Sequence, residues 1–242
     1  MLIELEKLQN CSLREMMFQE LWKQEYERGG IPSSFRVDPT KVVMHFLSFL
    51  KERGFEGSFA IDLGAGKGRN SFYLAQNGFS TLSIEWLQEN VDEINQKAAN
   101  AKLPISAYCQ SVSTPWPVPS ESMDIAIDIF CYKHVVDKEQ QKNYRKELYR
   151  ALKPNGYYLL SLAADDDGFY GSFLKEPSYN ECKLIIDPHS QIPSLLYSLE
   201  EIAEEFSDFF TLIQGKKEIS HSPMYGKDYQ RSVLNLIFQK KI

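Results

Sequence analysis

The chain is poor in the residues that mark several common protein classes. Its four cysteines, Cys11, Cys109, Cys131 and Cys182, are widely spaced and form no CxxC pair. That argues against a zinc site or a disulfide framework. Cys109 and Cys131 stand in apolar, strand-like runs that suit buried, inert thiols. The pattern as a whole suits a reducing cytoplasm. No apolar run approaches the ~18 residues that a membrane-spanning helix needs. Residues 1–10 alternate acids with leucines and lack the basic start and apolar stretch of a secretory signal. Basic residues are also in the minority: 27 Lys and Arg against 33 Asp and Glu leave a net charge of −6. A non-specific nucleic-acid binder needs a basic footprint, so nucleic acid is not an expected partner. There is no internal repeat and no low-complexity linker. What is present, 242 residues of which 43% are hydrophobic and 25% charged, fits a globular protein with a sizeable core.

The first 53 residues read as helices. Leu13, Met16, Met17, Leu21 and Trp22 supply a broad apolar face, and the glycines and proline of residues 28–34 break it as a loop. Asp38-Pro39 predicts the start of a second helix, an N-cap acid followed by a proline at the first helical position. Val43, Phe46, Leu47 and Leu50 repeat at helical spacing, and Gly54 ends that helix. From Phe59 the pattern changes. Strands are predicted at residues 59–63, 80–85, 105–109, 124–130 and 157–163, with helices between most of them. Asp137 with Gln140, and Ser198 with Glu201, read as helix starts. Strands alternating with helices require right-handed crossovers and a parallel sheet covered on both faces. Residues 233–238 read as a last strand, antiparallel and at or near the sheet edge. Residues 165–197 form an irregular insertion where substrates would lie. The fold class is therefore α/β: a Rossmann-like, doubly wound, mostly parallel sheet with an antiparallel C-terminal strand.

The most informative segment is Ala60-Ile61-Asp62-Leu63-Gly64-Ala65-Gly66-Lys67-Gly68-Arg69-Asn70. Three alternating glycines follow a strand directly and open a helix, so the main chain can turn tightly and a ligand can approach it. A dinucleotide fingerprint wants glycine or alanine at the sixth position of G-x-G-x-x-G. Here that position is Arg69, and the third glycine comes one residue early. Asp62, two residues before the first glycine, is wrong for a pyrophosphate and right for a cationic amino group. Glu85 ends the second strand, where a carboxylate can accept both hydroxyls of a ribose. The ligand so described joins a nucleoside to an amino acid.

The segment from Phe59 to about Ala163 resembles the class I S-adenosylmethionine-dependent methyltransferases. Asp62-Leu63-Gly64-Ala65-Gly66-Lys67-Gly68 looks like their D-x-G-x-G-x-G motif, and Leu152-Lys153-Pro154-Asn155-Gly156 matches their L-K-P-G-G turn. Trp116-Pro117-Val118-Pro119 through Ser122-Met123-Asp124 resembles their approach to the fourth strand. The resemblance implies S-adenosyl-L-methionine as cofactor, bound by Asp62, Gly64, Ala65, Gly66, Gly68 and Glu85. Trp86 resembles the residue flanking adenine. Gln110 and Ser111 follow the third strand, where the family usually has an acid; Gln110 departs from it. Phe130 ends the fourth strand beside the cofactor. The segment around Trp22–Pro32 resembles the lid ahead of many such cores, with Tyr26 and Arg36 closing over the cofactor. The expected division is a helical lid over residues 1–53 and a methyltransferase domain over residues 54–242.

Methyl transfer needs few catalytic side chains, and none stands out as a triad. His134 is a candidate base near neutral pH, and Asp166, within Asp165-Asp166-Asp167, a candidate for holding or deprotonating an amine. Tyr132, Phe169 and Tyr170 are candidate pocket walls. A small-molecule acceptor is expected, with no metal and no membrane, in a cytoplasmic monomer or homodimer. Two other readings stand beside it: a non-catalytic cofactor-binding partner subunit, and an NAD(P)-dependent reductase, which Arg69 and Asp62 disfavour.

Overall fold

The structure is a computed structural model that describes residues 11–175 and 183–242. The reading of residues 1–10, and of the side chains of Cys11, Leu13 and Cys182, falls outside them. Three helices lead: α1 (Cys11–Arg28), the short α2 (Pro32–Phe35) and α3 (Lys41–Glu52). Then come β1 (Phe59–Leu63), α4 (Arg69–Gln76), β2 (Ser80–Glu85), α5 (Gln88–Ala101), β3 (Ile105–Cys109), β4 (Met123–Ile129), α6 (Lys138–Ala151) and β5 (Leu152–Ala163). The remainder holds β6 (Leu184–Ile186), β7 (Pro193–Leu195), α7 (Leu199–Glu205), β8 (Phe210–Met224) and β9 (Lys227–Lys240).

Seven strands form one sheet in the order β3-β2-β1-β4-β5-β9-β8. The first five are parallel, and β9 and β8 close the sheet antiparallel. The strands alternate faces, as the two-residue period demands. Ala126 of β4 and Tyr158, Leu160 and Leu162 of β5 pack under α6 and α7. Ile125, Ile127, Tyr157 and Leu159 pack on the opposite face with Val43, Phe46 and Leu50 of α3 and Leu74 of α4. Burial on both faces is why the middle of β4, Ile125 to Ile127, is a continuous apolar run. Strand order reverses between β1 and β4, so a crevice opens beyond their carboxyl ends.

Four expectations need correction. α3 starts at Lys41 with Thr40 at its N-cap and no side-chain cap, not at Asp38-Pro39. Instead the Thr40 N–H donates to Asn70 Oδ1 at 2.9 Å, tying the start of α3 to α4. The last strand is longer than residues 233–238, running over Lys227–Lys240, while its place, antiparallel and next to the edge strand β8, is near the sheet edge as expected. The 165–197 stretch is not wholly irregular: it carries a 3₁₀ turn at Tyr170–Lys175 and the antiparallel β6–β7 pair. Cys109 is exposed rather than buried. The Ser198–Glu201 capping box forms as expected, and Asp137 accepts from the Glu139 and Gln140 N–H groups.

Candidate active site

The glycine loop is built by what its neighbours leave no room for. Gly64, Gly66 and Gly68 all adopt left-handed φ, at 69°, 58° and 80°. The Gly64 and Ala65 N–H groups donate to the Ile84 carbonyl, which holds the loop against β2. A Cβ on Gly64 would stand 2.6 Å from Cys131 Cβ and Sγ, and one on Gly66 would stand 2.5 Å from the Tyr26 hydroxyl. The loop is thus pinched between the turn after β4 and α1.

Glu85 fastens this arrangement from the end of β2. Its Oε2 accepts the Gly66 N–H at 2.7 Å and its Oε1 accepts the Leu87 N–H at 3.0 Å. Burial pushes its carboxyl up from the usual range, against those hydrogen bonds. A carboxylate has about four acceptor sites, so each oxygen keeps capacity for a hydroxyl. Asp62 lies one layer deeper, where Oδ2 accepts from Ser71 Oγ at 2.6 Å. Burial pushes its carboxyl up to about 6.

The turn after β4 is held by Asp128. Its oxygens accept from the Cys131 and Tyr132 N–H groups and from the Tyr144 hydroxyl at 2.7 Å. Phe130, the next residue but one, is forced to φ 68°. A non-glycine residue in this region is strained and marks a site whose geometry is over-determined. Burial pushes the Asp128 carboxyl up to about 7. Its folded value exceeds the unfolded one, so its contribution to stability is full below about pH 4 and is lost as pH rises through about 7. Asp128→Asn keeps the shape of the protonated acid. Its stability relative to wild type should therefore rise between pH 4 and 7, by up to ~1.4 kcal/mol per pH unit. Urea titrations at several pH values measure this; a difference that does not change with pH contradicts it.

Above the crevice, α1 and α2 are clamped to the β8–β9 hairpin. The buried Glu25 accepts the Gly30 and Ile31 N–H groups at 2.8 and 2.9 Å, and the Tyr225 hydroxyl at 3.2 Å. The Tyr225 N–H donates to the Gly30 carbonyl at 2.8 Å. Beneath this roof runs a cavity of about 1060 Å³. Glu85, Trp86, Gln110 and Ser111 line one end, and Gly64, Tyr26, Arg36 and Phe130 also reach its wall. Asp62, Ala65, Gly66 and Gly68 do not line the cavity: Gly66 lies under Tyr26, Gly68 packs against Ile94, and Asp62 and Ala65 are buried.

The predicted acceptor residues divide. Tyr170 and His134 line the cavity. His134 Nδ1 stands 2.8 Å from the Pro193 carbonyl, which can only accept, so Nδ1 carries the proton and Nε2 is the acceptor. Burial holds the imidazole well below its usual value and therefore neutral. Tyr132 is in the core, where its hydroxyl meets Arg145 and Glu205. Phe169 is buried in a cluster with Tyr170, Tyr225 and Tyr229. Asp166 is paired with Lys217 at 2.7 Å on the surface and does not line the cavity. Among the described residues no His, Cys, Asp or Glu cluster fits a metal ion, and no helix is long and apolar enough to cross a membrane.

Arg69, Lys133 and Arg231 also line the cavity, and none of them is a candidate site residue from the sequence. Arg69 was legible only as a misfit to the dinucleotide pattern. Burial, and next the neighbouring Arg36 guanidinium, draw Arg69 below its usual value. Among the described residues neither Arg36 nor Arg69 has a carboxylate within 4.0 Å; Arg36 donates instead to Ser222 Oγ. Two guanidinium groups that line one cavity and have no contacting carboxylate among the described residues suit a ligand carboxylate.

Residues 60–156 match the family described as "Methyltransferase domain". The chain thus carries a methyltransferase domain over that stretch. Solved methyltransferases share its fold. A 1,6-didemethyltoxoflavin-N1-methyltransferase from Burkholderia thailandensis, solved with 1,6-didemethyltoxoflavin and S-adenosylhomocysteine, is 17% identical, with 93% of this chain and 87% of that one covered and a TM-score of 0.67. An S-adenosylmethionine-dependent methyltransferase from Methanosarcina mazei is 18% identical over 80% of this chain and 97% of that one, with a TM-score of 0.63. One from Clostridium acetobutylicum is 13% identical over 95% and 99%, with a TM-score of 0.65. Comparison with curated proteins gives no match. At these identities the likeness speaks for the fold alone.

Proposed function

We propose that the chain is an S-adenosylmethionine-dependent methyltransferase acting on a small-molecule acceptor. The observation that carries this reading is the Glu85 carboxylate bridging the Gly66 and Leu87 N–H groups beside three left-handed glycines at the β1–β4 switch point. A buried acid with spare acceptor capacity suits ribose hydroxyls, and the Arg36–Arg69 pair suits the amino-acid carboxylate. Trp86, Gln110 and Ser111, at the same end, suit the adenine.

When bound, S-adenosylmethionine supplies an activated methyl group and with it the chemical drive. The chain's own work is positioning. Residues 1–53 act as a lid: Tyr26 covers the glycine loop and Glu25 locks the roof to the hairpin, which excludes water. Correct placement of the reactants is worth ~7–11 kcal/mol of barrier. His134 offers a neutral Nε2 to an acceptor that arrives protonated, a contribution of roughly 10²–10⁴-fold where it is needed. The stretch 165–197 supplies Tyr170 and Ile192 to the acceptor side. Asp166, turned outward against Lys217, has no part in this scheme.

Arg36→Ala removes one charge-assisted contact, worth about 1.5–3 kcal/mol. It should raise the dissociation constant for S-adenosylhomocysteine by about 10- to 100-fold; an unchanged constant removes Arg36 from the site. The function itself is tested by calorimetry. S-adenosylhomocysteine should bind at one site per chain while NADPH gives no heat. Binding of NADPH alone supports the reductase reading. Cofactor binding without turnover on a panel of amines, phenols, carboxylates and thiols supports the partner-subunit reading.

A further inference from the structure

The acceptor end of the cavity contains an arrangement that cofactor binding does not use. Lys133 is fully buried, and its Nζ has no hydrogen-bond partner. Its contacts are the faces of two rings, Tyr170 at 3.4 Å and Phe130 at 5.7 Å. Arg231 lies over the same Tyr170 ring at 5.2 Å. Its Nε donates to Asp167 and one terminal nitrogen meets Met224 Sδ, but Nη2 is buried and unpaired. Both residues line the cavity. We propose that Lys133 Nζ and Arg231 Nη2 together hold a carboxylate on the methyl acceptor, one oxygen each. This rests on the methyltransferase reading, because it concerns the acceptor of that same site.

The surrounding acids do not satisfy Lys133. Asp167 uses both oxygens on Arg231 Nε and the Ser232, Phe169 and Tyr170 N–H groups. Asp187 accepts from the His189 N–H and the Tyr225 hydroxyl, and Glu25 is taken by the roof. Burial, then the Arg231 guanidinium, draws the Lys133 ammonium down to about 7, with Asp167 and Asp187 pulling the other way. An unpaired buried donor carries the full desolvation cost; two on residues that line one cavity and contact one ring, Tyr170, mark a place for an acceptor group. Arg231 is already matched by Asp167, so one positive charge lacks a contacting partner. That suits a singly charged carboxylate rather than a phosphate dianion. Phe130, Tyr170, Trp22 and Met224 line the same cavity and belong to one apolar cluster, so the body that carries the carboxylate is flat and apolar.

The test uses benzoate, benzamide and phenyl phosphate, titrated into the full chain with and without saturating S-adenosylhomocysteine. Wild type should bind benzoate at least tenfold more tightly than benzamide or phenyl phosphate. Lys133→Met should erase that preference and leave affinity for S-adenosylhomocysteine unchanged. The same variant should raise Tm by about 2–4 °C or more, since it removes an unpaired buried charge. Benzoate binding no better than benzamide overturns the inference, as does a preference for phenyl phosphate or a Lys133→Met variant that keeps the preference. Failure of S-adenosylhomocysteine to bind, with the benzoate preference intact, overturns the methyltransferase reading and supports the anion site by itself.

Discussion

Glu85→Ala should lower affinity for S-adenosylhomocysteine by about 10²–10⁴-fold. Two hydrogen bonds from ribose hydroxyls to a buried carboxylate are lost, each worth about 1.5–3 kcal/mol. The same change leaves the Gly66 and Leu87 N–H groups without their acceptor, so the loop also loses its fixed shape. Glu85→Gln keeps one acceptor oxygen at nearly the same place and should lose less. Calorimetric titration measures both. Circular dichroism melts separate loss of binding from loss of fold, because β2 itself is held by its ladders to β1 and β3. Binding by Glu85→Ala within threefold of wild type would remove Glu85 from the site.

Gly66→Ala should be nearly as damaging, for a steric reason. Residue 66 sits at φ 58°, and a Cβ there would be 2.5 Å from the Tyr26 hydroxyl. A side chain in the left-handed region costs about 1–2 kcal/mol, and the collision adds to it by pushing Tyr26 off the loop. Together they should weaken cofactor binding by about 100-fold. Tyr26→Phe removes the colliding oxygen, and the next nearest ring atom would stand 3.5 Å away. The double variant should therefore recover the steric part and retain only the strain. A double-mutant cycle in binding free energy checks this. Strict additivity of the two changes contradicts the contact between lid and loop.

The proposed cofactor half of the site is legible in the sequence because it is written locally. A strand, a glycine loop and a helix start adjoin in the chain, and the acid of the next strand falls at the same sheet edge. β1, β2 and β3 have the bounds that their apolar runs predicted. β8 was not legible. It is an edge strand, exposed along most of its length and studded with Lys216, Lys217, Glu218 and Pro223. Edge strands carry such residues to discourage pairing with other chains, and the same residues hide the strand's period. The acceptor end was read only in part. His134 and Tyr170 were reachable from their position after a strand. Lys133 and Arg231 were not, since 98 residues separate them in the chain and only the fold of β9 back onto β5 brings them over one ring. A lysine beside a histidine reads as a solvated turn until its burial is known.

Asp166 is the converse case. Three consecutive acids after β5 suggested an acceptor site, yet each acquired a different partner. Asp165 pairs with Lys183, Asp166 with Lys217, and Asp167 with Arg231. Only Asp167 turns inward, and it does so to hold a cation that lines the cavity rather than to meet a substrate.

The account depends most on the Glu85 end of the cavity being the adenosyl site. A crystal of the protein soaked in S-adenosylhomocysteine tests that directly. The prediction is density under the α1 roof, with both ribose hydroxyls on the Glu85 carboxylate and the ligand's carboxylate between Arg36 and Arg69. Density in another place, or a ribose that does not touch Glu85, would contradict it.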